Sequence, residues 1–334
     1  MALIIICLGA FLLIMDPESA LSGAREGMEL CMKTVIPSLL PFFFLSVLLT
    51  SRLSDKKIHF LEPFGKLLRI PVGMESVFLV GLLGGYPVGA QAVSQNYQTG
   101  KLERTNAQRM LGFCSNAGPS FIFGILGGMF SSSAAAWVLW LIHILSAILV
   151  GVILPGGDRK AVALTPGKTI TAAAALERAA KIMANVCGWV ILFRVVIRFL
   201  DRWILWIFPP VLRMALIGAL ELTNGCCLLP QLENEGLRFV LASCFVAFGG
   251  SCVFMQTAAV TGKLGTGWYF PGKVMQMIIS FLMAMLYQYL FFPAASNLNI
   301  RPIALCPAAT MLLLMIIFLK KYKISSSIPA IFGV

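Results

Sequence analysis

Ten apolar blocks, divided by short polar segments, constrain this chain more than any other feature. They run roughly 1–15, 35–50, 71–94, 110–130, 134–155, 182–200, 203–231, 237–262, 269–293 and 302–319. Blocks of this length and purity match helices that cross lipid, because a helix satisfies its own backbone where no water can. Only 12% of the residues are charged and the mean hydropathy is +0.89. So few charges cannot cover the surface of a soluble protein of 334 residues. The expected class is therefore an all-α, polytopic integral membrane bundle, embedded in the bilayer as a multi-pass protein of the cell membrane.

The net charge of +12 raises the question of nucleic acid, and its distribution answers it. Basic residues cluster in short loops between apolar blocks: Arg52, Lys56, Lys57, Lys66 and Arg69; Arg159, Lys160 and Lys168; Lys320, Lys321 and Lys323. This is the pattern of cytoplasmic loops, not of a nucleic-acid-binding face. With both termini cytoplasmic, the charges favour eight spans plus two hairpins, and Lys263 and Lys273 fall in a cytoplasmic loop. Arg198, Arg202 and Arg213 fit this scheme poorly, because they lie near the outer face. The nine cysteines are odd in number, form no CxxC pair and lie mostly within apolar blocks, so they read as packing residues, with no metal or cofactor site. The first block lacks a basic leader and meets Asp16-Pro17-Glu18 at once. It reads as a tilted or locally thinned span of about 22 Å. Residues 17–34 and 170–185 read as amphipathic segments in the interface or against the bundle.

Two blocks are interrupted. Gly84-Gly85-Tyr86-Pro87-Val88-Gly89 breaks the third, and Glu221-Leu222-Thr223-Asn224-Gly225 breaks the seventh. Glycine loosens a helix and proline deletes a donor, so both predict re-entrant hairpins or discontinuous helices. Each is followed by a second small-residue stretch, Ser115-Asn116-Ala117-Gly118-Pro119-Ser120 and Phe248-Gly249-Gly250-Ser251. The order helix, broken hairpin, polar linker, small-residue helix and span occurs twice. It divides the chain into an N-terminal helix and amphipathic segment (1–34), a first repeat (35–155), a cytoplasmic linker with an amphipathic helix (156–181), a second repeat in inverted orientation (182–293), and a C-terminal helix with a basic tail (294–334).

Paired broken segments point to a midplane binding site. Half-helix N-termini offer N–H groups to an anion, and Gly85, Tyr86, Pro87, Ser115, Asn116, Gly118, Thr223, Asn224, Gly225, Gly250 and Ser251 supply the surrounding backbone and side-chain groups. Small residues at helix crossings also serve plain packing. Glu221 stands out, because an ionisable group deep in an apolar run costs about 2.5 kcal/mol or more to insert and usually faces a cavity or an ion path. The competing reading puts it at the membrane surface, ending a helix. Gln91, Gln95, Asn96 and Gln256 line the same pathway or mark where the chain returns to water. His143 reads as a packing histidine bonded to a neighbour. A small anionic solute, the bilayer and a coupling proton or sodium ion are the implied partners, with homo-oligomerisation left open. No Walker A, GxGxxG, HExxH or GxSxG sequence is present, so no enzyme is expected.

The four motifs, with Met255-Gln256, resemble those of the YlbJ (SpoVV) family of sporulation integral membrane proteins, over about residues 30–290. That family belongs to the wider nucleoside-recognition or Gate group. The resemblance implies a carrier moving dipicolinic acid across the outer forespore membrane, and kinship with nucleoside carriers. A nucleoside or other small-solute carrier, and a non-transporting sporulation scaffold, are the alternatives. One departure is visible: Ser251-Cys252-Val253-Phe254 stands where the family pattern has Leu-Ser-Val-His, which exchanges a histidine for Phe254.

Overall fold

The computed structural model describes residues 2–53, 58–160 and 170–291. Three short helices come first among the described residues: α1 (Ala2–Met15), α2 (Pro17–Leu30) and, after a π-helical turn, α3 (Ile36–Leu53). Then follow α4 (Glu62–Leu67), α5 (Glu75–Gly84), α6 (Val88–Gln98), α7 (Arg104–Cys114), the one-turn α8 (Pro119–Phe121) and α9 (Ser133–Ile153). The second half brings α10 (Ala172–Trp203), α11 (Pro210–Leu220), α12 (Leu222–Leu228), α13 (Glu235–Phe248), α14 (Gly250–Thr261) and α15 (Tyr269–Phe291). Six helical segments among the described residues are long and apolar enough to cross a membrane, beginning at Pro17, Arg104, Ser133, Ala172, Glu235 and Tyr269. They account for six of the eight expected spans. The span expected over 302–319, with the domain 294–334, lies outside the described residues. The span expected over 1–15 is the 14-residue α1, about 21 Å long and short of a 30 Å hydrocarbon core.

Two sequence boundaries need correction. The amphipathic segment 17–34 and the block 35–50 form one continuous helical segment of 37 residues, because the π turn Cys31–Val35 carries α2 into α3 without a break. Likewise 170–185 and 182–200 merge into α10, 32 residues long. These two long helices pack against each other and run antiparallel. A Cβ on Gly23 would stand 2.9 Å from the Val195 Cα, and one on Gly27 2.9 Å from the Ile191 Cα. The small residues of α2 thus let two backbones touch. Two of the three misfit arginines, Arg202 and Arg213, have carboxylate partners here, and so does Arg194. Arg194 pairs with Glu26 of α2, Arg202 with Asp16 at 3.4 Å, and Arg213 with Asp201 at 2.9 Å. Asp16 also N-caps α2, accepting from the Ser19 N–H at 3.1 Å. Ion pairing with carboxylates holds these guanidiniums, whichever side of the bilayer they lie on.

Both interrupted blocks fold back as helical hairpins. In the first, α5 and α6 diverge from Gly85-Tyr86-Pro87, and in the second, α11 and α12 diverge from Glu221. Each hairpin is closed by glycines. A Cβ on Gly81 or Gly89 would stand 1.7 or 2.0 Å from the Cys114 carbonyl oxygen. A Cβ on Gly225 would stand 2.3 Å from the Gly218 Cα, and one on Gly218 2.5 Å from the Phe245 ring. The broken helix that follows each hairpin presses on its tip: Gly118 meets Gly85, and Gly250 meets the carbonyls of Gly218, Ala219 and Leu220.

The bundle has an apolar exterior and an apolar core in which a few polar side chains are buried. On α9, Trp137, Leu141, Leu145 and Leu149 are exposed at four-residue intervals, while His143 and Ser146 are buried, as a lipid-facing helix requires. The C-terminal carbonyls of α9 are taken up by two guanidiniums. Arg69 donates to the carbonyls of Val152 and Leu154 at 2.8 and 2.7 Å. Arg109, which is buried, donates to Gly151, to Leu154 and to Leu68, the last at 2.8 Å. Arg109 is thus a structural clamp on a helix C-terminus. Two outcomes follow in thermal unfolding of the detergent-solubilised protein. Arg109→Ala leaves the Leu68 and Gly151 carbonyls without this donor and destabilises by about 2–3 kcal/mol, while Arg104→Ala, at an exposed position, shifts the midpoint little. Gly89→Val forces the first hairpin off the Cys114 carbonyl and costs at least about 1–3 kcal/mol, read as loss of monodisperse protein on size exclusion.

Candidate functional site

The two hairpin tips meet at one cleft. Val35, Leu39 and Phe43 of the first long helix and Val186 and Val190 of α10 form its apolar wall. Gly85, Tyr86, Gly118 and Ser120 come from the first half, and Glu221, Thr223 and Gln256 from the second. The cavity volume is about 40 Å³, room for a few waters, so an organic solute needs the tips to move apart. Both segments that the sequence marks as interrupted reach this cleft, and neither is a continuous rod.

Glu221 is buried, so the reading that placed it at the membrane surface fails. It ends α11, donating its N–H to the Ile217 carbonyl at 2.8 Å, and begins α12. Its carboxylate accepts from the Thr223 N–H at 3.1 Å, the Asn224 N–H at 2.7 Å and the Asn224 side-chain amide at 2.6 Å. This corrects the expectation of bare amides there. The first N–H groups of α12 are already occupied, by the chain's own anion. Thr223 and Asn224 are buried beneath it, and Gly225 lies one turn on, where it admits Gly218.

On the opposite tip, Gly85 takes a φ of +75° and Tyr86-Pro87 is a cis peptide bond. Only glycine adopts the first without strain. The Tyr86 hydroxyl donates to the Val246 carbonyl at 3.3 Å, and its ring rests near Gly249, so the first hairpin abuts the break between α13 and α14. Gly250 also has positive φ, +83°. Ser251 is half-buried and donates to the Ala219 carbonyl at 3.3 Å, a bond within the second repeat. Gln256 is buried in the cleft wall and donates to the Cys252 sulfur at 3.3 Å. Gln91 and Gln95 are exposed, away from the cleft, and they mark the chain's exit. Phe254 packs in an aromatic group with Tyr269 and Phe270, at centroid distances of 6.0 and 5.9 Å.

Ser115 and Asn116 stand behind Gly118, fully buried. The Ser115 hydroxyl has no hydrogen-bond partner. Asn116 is the hub of a polar network that sequence reasoning missed. Its side-chain oxygen accepts from the Lys273 ammonium and from the Gln276 amide, each at 3.1 Å. Lys273 also donates to the Gln276 oxygen at 2.6 Å. The Gln276 amide lies 3.4 Å from His143 Nδ1, and His143 Nε2 accepts from the Ala117 N–H at 3.1 Å. His143 is therefore bonded to neighbours, as expected. Lys273 is the correction. It was assigned to a cytoplasmic loop, yet it is 1% exposed on α15. The signal was present: Lys273 and Gln276 are spaced i, i+3 inside the apolar block 269–293, so both fall on one helix face.

The chain matches no protein-family model and no solved structure. A curated protein that it does match is the sporulation integral membrane protein YlbJ of Bacillus subtilis (strain 168), with 31% identity over 150 residues. That stretch is 44% of this chain and 37% of the relative, so the match spans little more than a third of the relative's length. The similarity supports the YlbJ family resemblance carried by the four interrupted motifs.

Proposed function

We propose that this protein is a carrier for a small organic anion, dipicolinic acid, acting during sporulation in the outer forespore membrane with both termini in the cytoplasm. The observation that carries the reading is the convergence of both interrupted segments, with the buried Glu221, on one cleft inside the bundle. Irregular backbone at membrane depth is tolerated where it lines such a cavity. The similarity to a sporulation membrane protein supplies the biological setting. The matched hairpins and matched breaks support two repeats of inverted orientation that rock about this cleft.

Glu221 is the coupling group in this reading. As a carboxylate it occupies the N–H groups of Thr223 and Asn224. Once protonated it releases them, and a solute carboxylate takes its place. Proton binding and anion binding then favour each other, which is the linkage a symporter needs. A sodium ion bound near the same carboxylate is the other coupling that these groups allow.

The decisive measurement is uptake of labelled dipicolinate by liposomes holding the purified protein. Wild type accumulates the label faster as the outside pH falls. Glu221→Gln flattens that pH dependence, and Asn116→Ala lowers uptake at least about tenfold, a loss of about 1.4 kcal/mol or more. Glu221→Gln transporting with the wild-type pH profile overturns the coupling role. Absence of flux, together with tolerance of Asn116→Ala and Asn224→Ala in a sporulation assay, favours a scaffold. Flux that unlabelled nucleosides suppress and dipicolinate does not favours a nucleoside carrier.

A further inference from the structure

Lys273 is a buried amine with no carboxylate beside it. Its ammonium has three protons and two acceptors, the side-chain oxygens of Asn116 and Gln276. The remaining surroundings are the rings of Tyr86 and Tyr269, with centroids 5.3 and 5.9 Å away. Cys114 and His143 are the other titratable groups around it, and no described carboxylate lies within ion-pair distance, 4.0 Å. The buried Arg109 and the part-buried Arg194 are treated differently. Arg194 has Glu26, and Arg109 has three backbone carbonyls at the end of a helix. A buried charge with neither arrangement is costly and is usually retained for function.

The position of this amine gives its cost a use. Tyr86 lines the cleft on one side and faces the Lys273 ammonium on the other. Asn116 and Ala117 join the ammonium's partner directly to Gly118 in the cleft wall. The Ser115 hydroxyl is buried and without a partner, and the hydroxyls of Tyr269 and Thr257 are buried beside each other. Ser115 adjoins Asn116, Tyr269 bears on the ammonium, and the Ser115 hydroxyl offers a donor that an acceptor would satisfy. Glu221 lies across the same cleft, so the site has one acidic tip and one basic backing. We propose that the Lys273 ammonium is the counter-charge for a solute carboxylate, with the Tyr86 ring as the movable wall that separates it from the cleft. This rests on the anion-carrier reading and names the residue that makes the site select carboxylates over neutral solutes of the same shape. Lys273 and Glu221 then set polarity together: the first attracts the anion, and the second excludes it until protonated.

A purely structural lysine, tying α15 to the break after α7, makes a different prediction, and two measurements separate them. The first is calorimetric binding of pyridine-2,6-dicarboxylate and of the neutral pyridine-2,6-dicarboxamide to wild type and Lys273→Met in detergent. Loss of the buried charge pair weakens the dicarboxylate by about 30-fold or more and leaves the diamide nearly unchanged. Equal weakening of both ligands, or of neither, overturns the assignment. The second measurement uses wild type alone, so it stands even where Lys273→Met does not fold: reductive methylation of Lys273, read by peptide mass spectrometry. Saturating dicarboxylate slows the modification and the diamide does not. Equal labelling with and without dicarboxylate overturns the assignment while leaving the anion-carrier reading intact. A wild type that binds the diamide or nucleosides but no carboxylate overturns both.

Discussion

Peptide groups cannot be left bare in hydrocarbon, and the centre of this protein is arranged around that cost. Each hairpin ends inside the bundle, so its tip must find partners within the protein. Glycine supplies the means. At Gly81 and Gly89 the two arms of the first hairpin close around the Cys114 carbonyl, and at Gly218 and Gly225 the arms of the second touch each other. The helix that follows is itself broken and lays Gly118 or Gly250 against the tip. A single methyl group at several of these positions would separate the elements and expose the backbone they protect.

The two tips solve one geometric problem with different chemistry. The first turns through Gly85-Tyr86-Pro87, presenting a ring and a backbone of positive φ. The second turns at Glu221, whose carboxylate caps the helix it starts. The acidic tip is therefore self-satisfied, while the aromatic tip shields an amine that has no anion of its own. That asymmetry, rather than the shared architecture, gives the cleft a chemical direction.

Charge elsewhere is handled by pairing. The guanidiniums of Arg194 and Arg202 on α10 meet the carboxylates of Glu26 and Asp16 on and before α2, and the arginines at the end of α9 meet carbonyls. These contacts hold the two long helices in register beside the cleft. They also explain why counting positive charge by loop fits this part of the chain poorly: these arginines sit on a helix and pair with carboxylates of its neighbour.

Sequence alone determined the class of this protein. Apolar block length dictates membrane helices, and Gly84-Gly85-Tyr86-Pro87 and Glu221 through Gly225 mark where a helix cannot continue, because both are properties of the local backbone. The pairing of the two breaks was legible for the same reason, and so was the burial of Glu221 in its apolar run. Tertiary structure alone decided the rest. It joined residues 17–34 to α3, because an amphipathic segment with a small-residue face gains a partner only when α10 arrives. It filled the amides of α12 with Glu221 itself, a bond whose geometry the turn creates. It moved Lys273 from an expected loop to the centre of a polar network whose members, Asn116, His143 and Gln276, are far apart along the chain. Long-range convergence of this kind leaves no local pattern, because each residue taken singly sits in an ordinary helix.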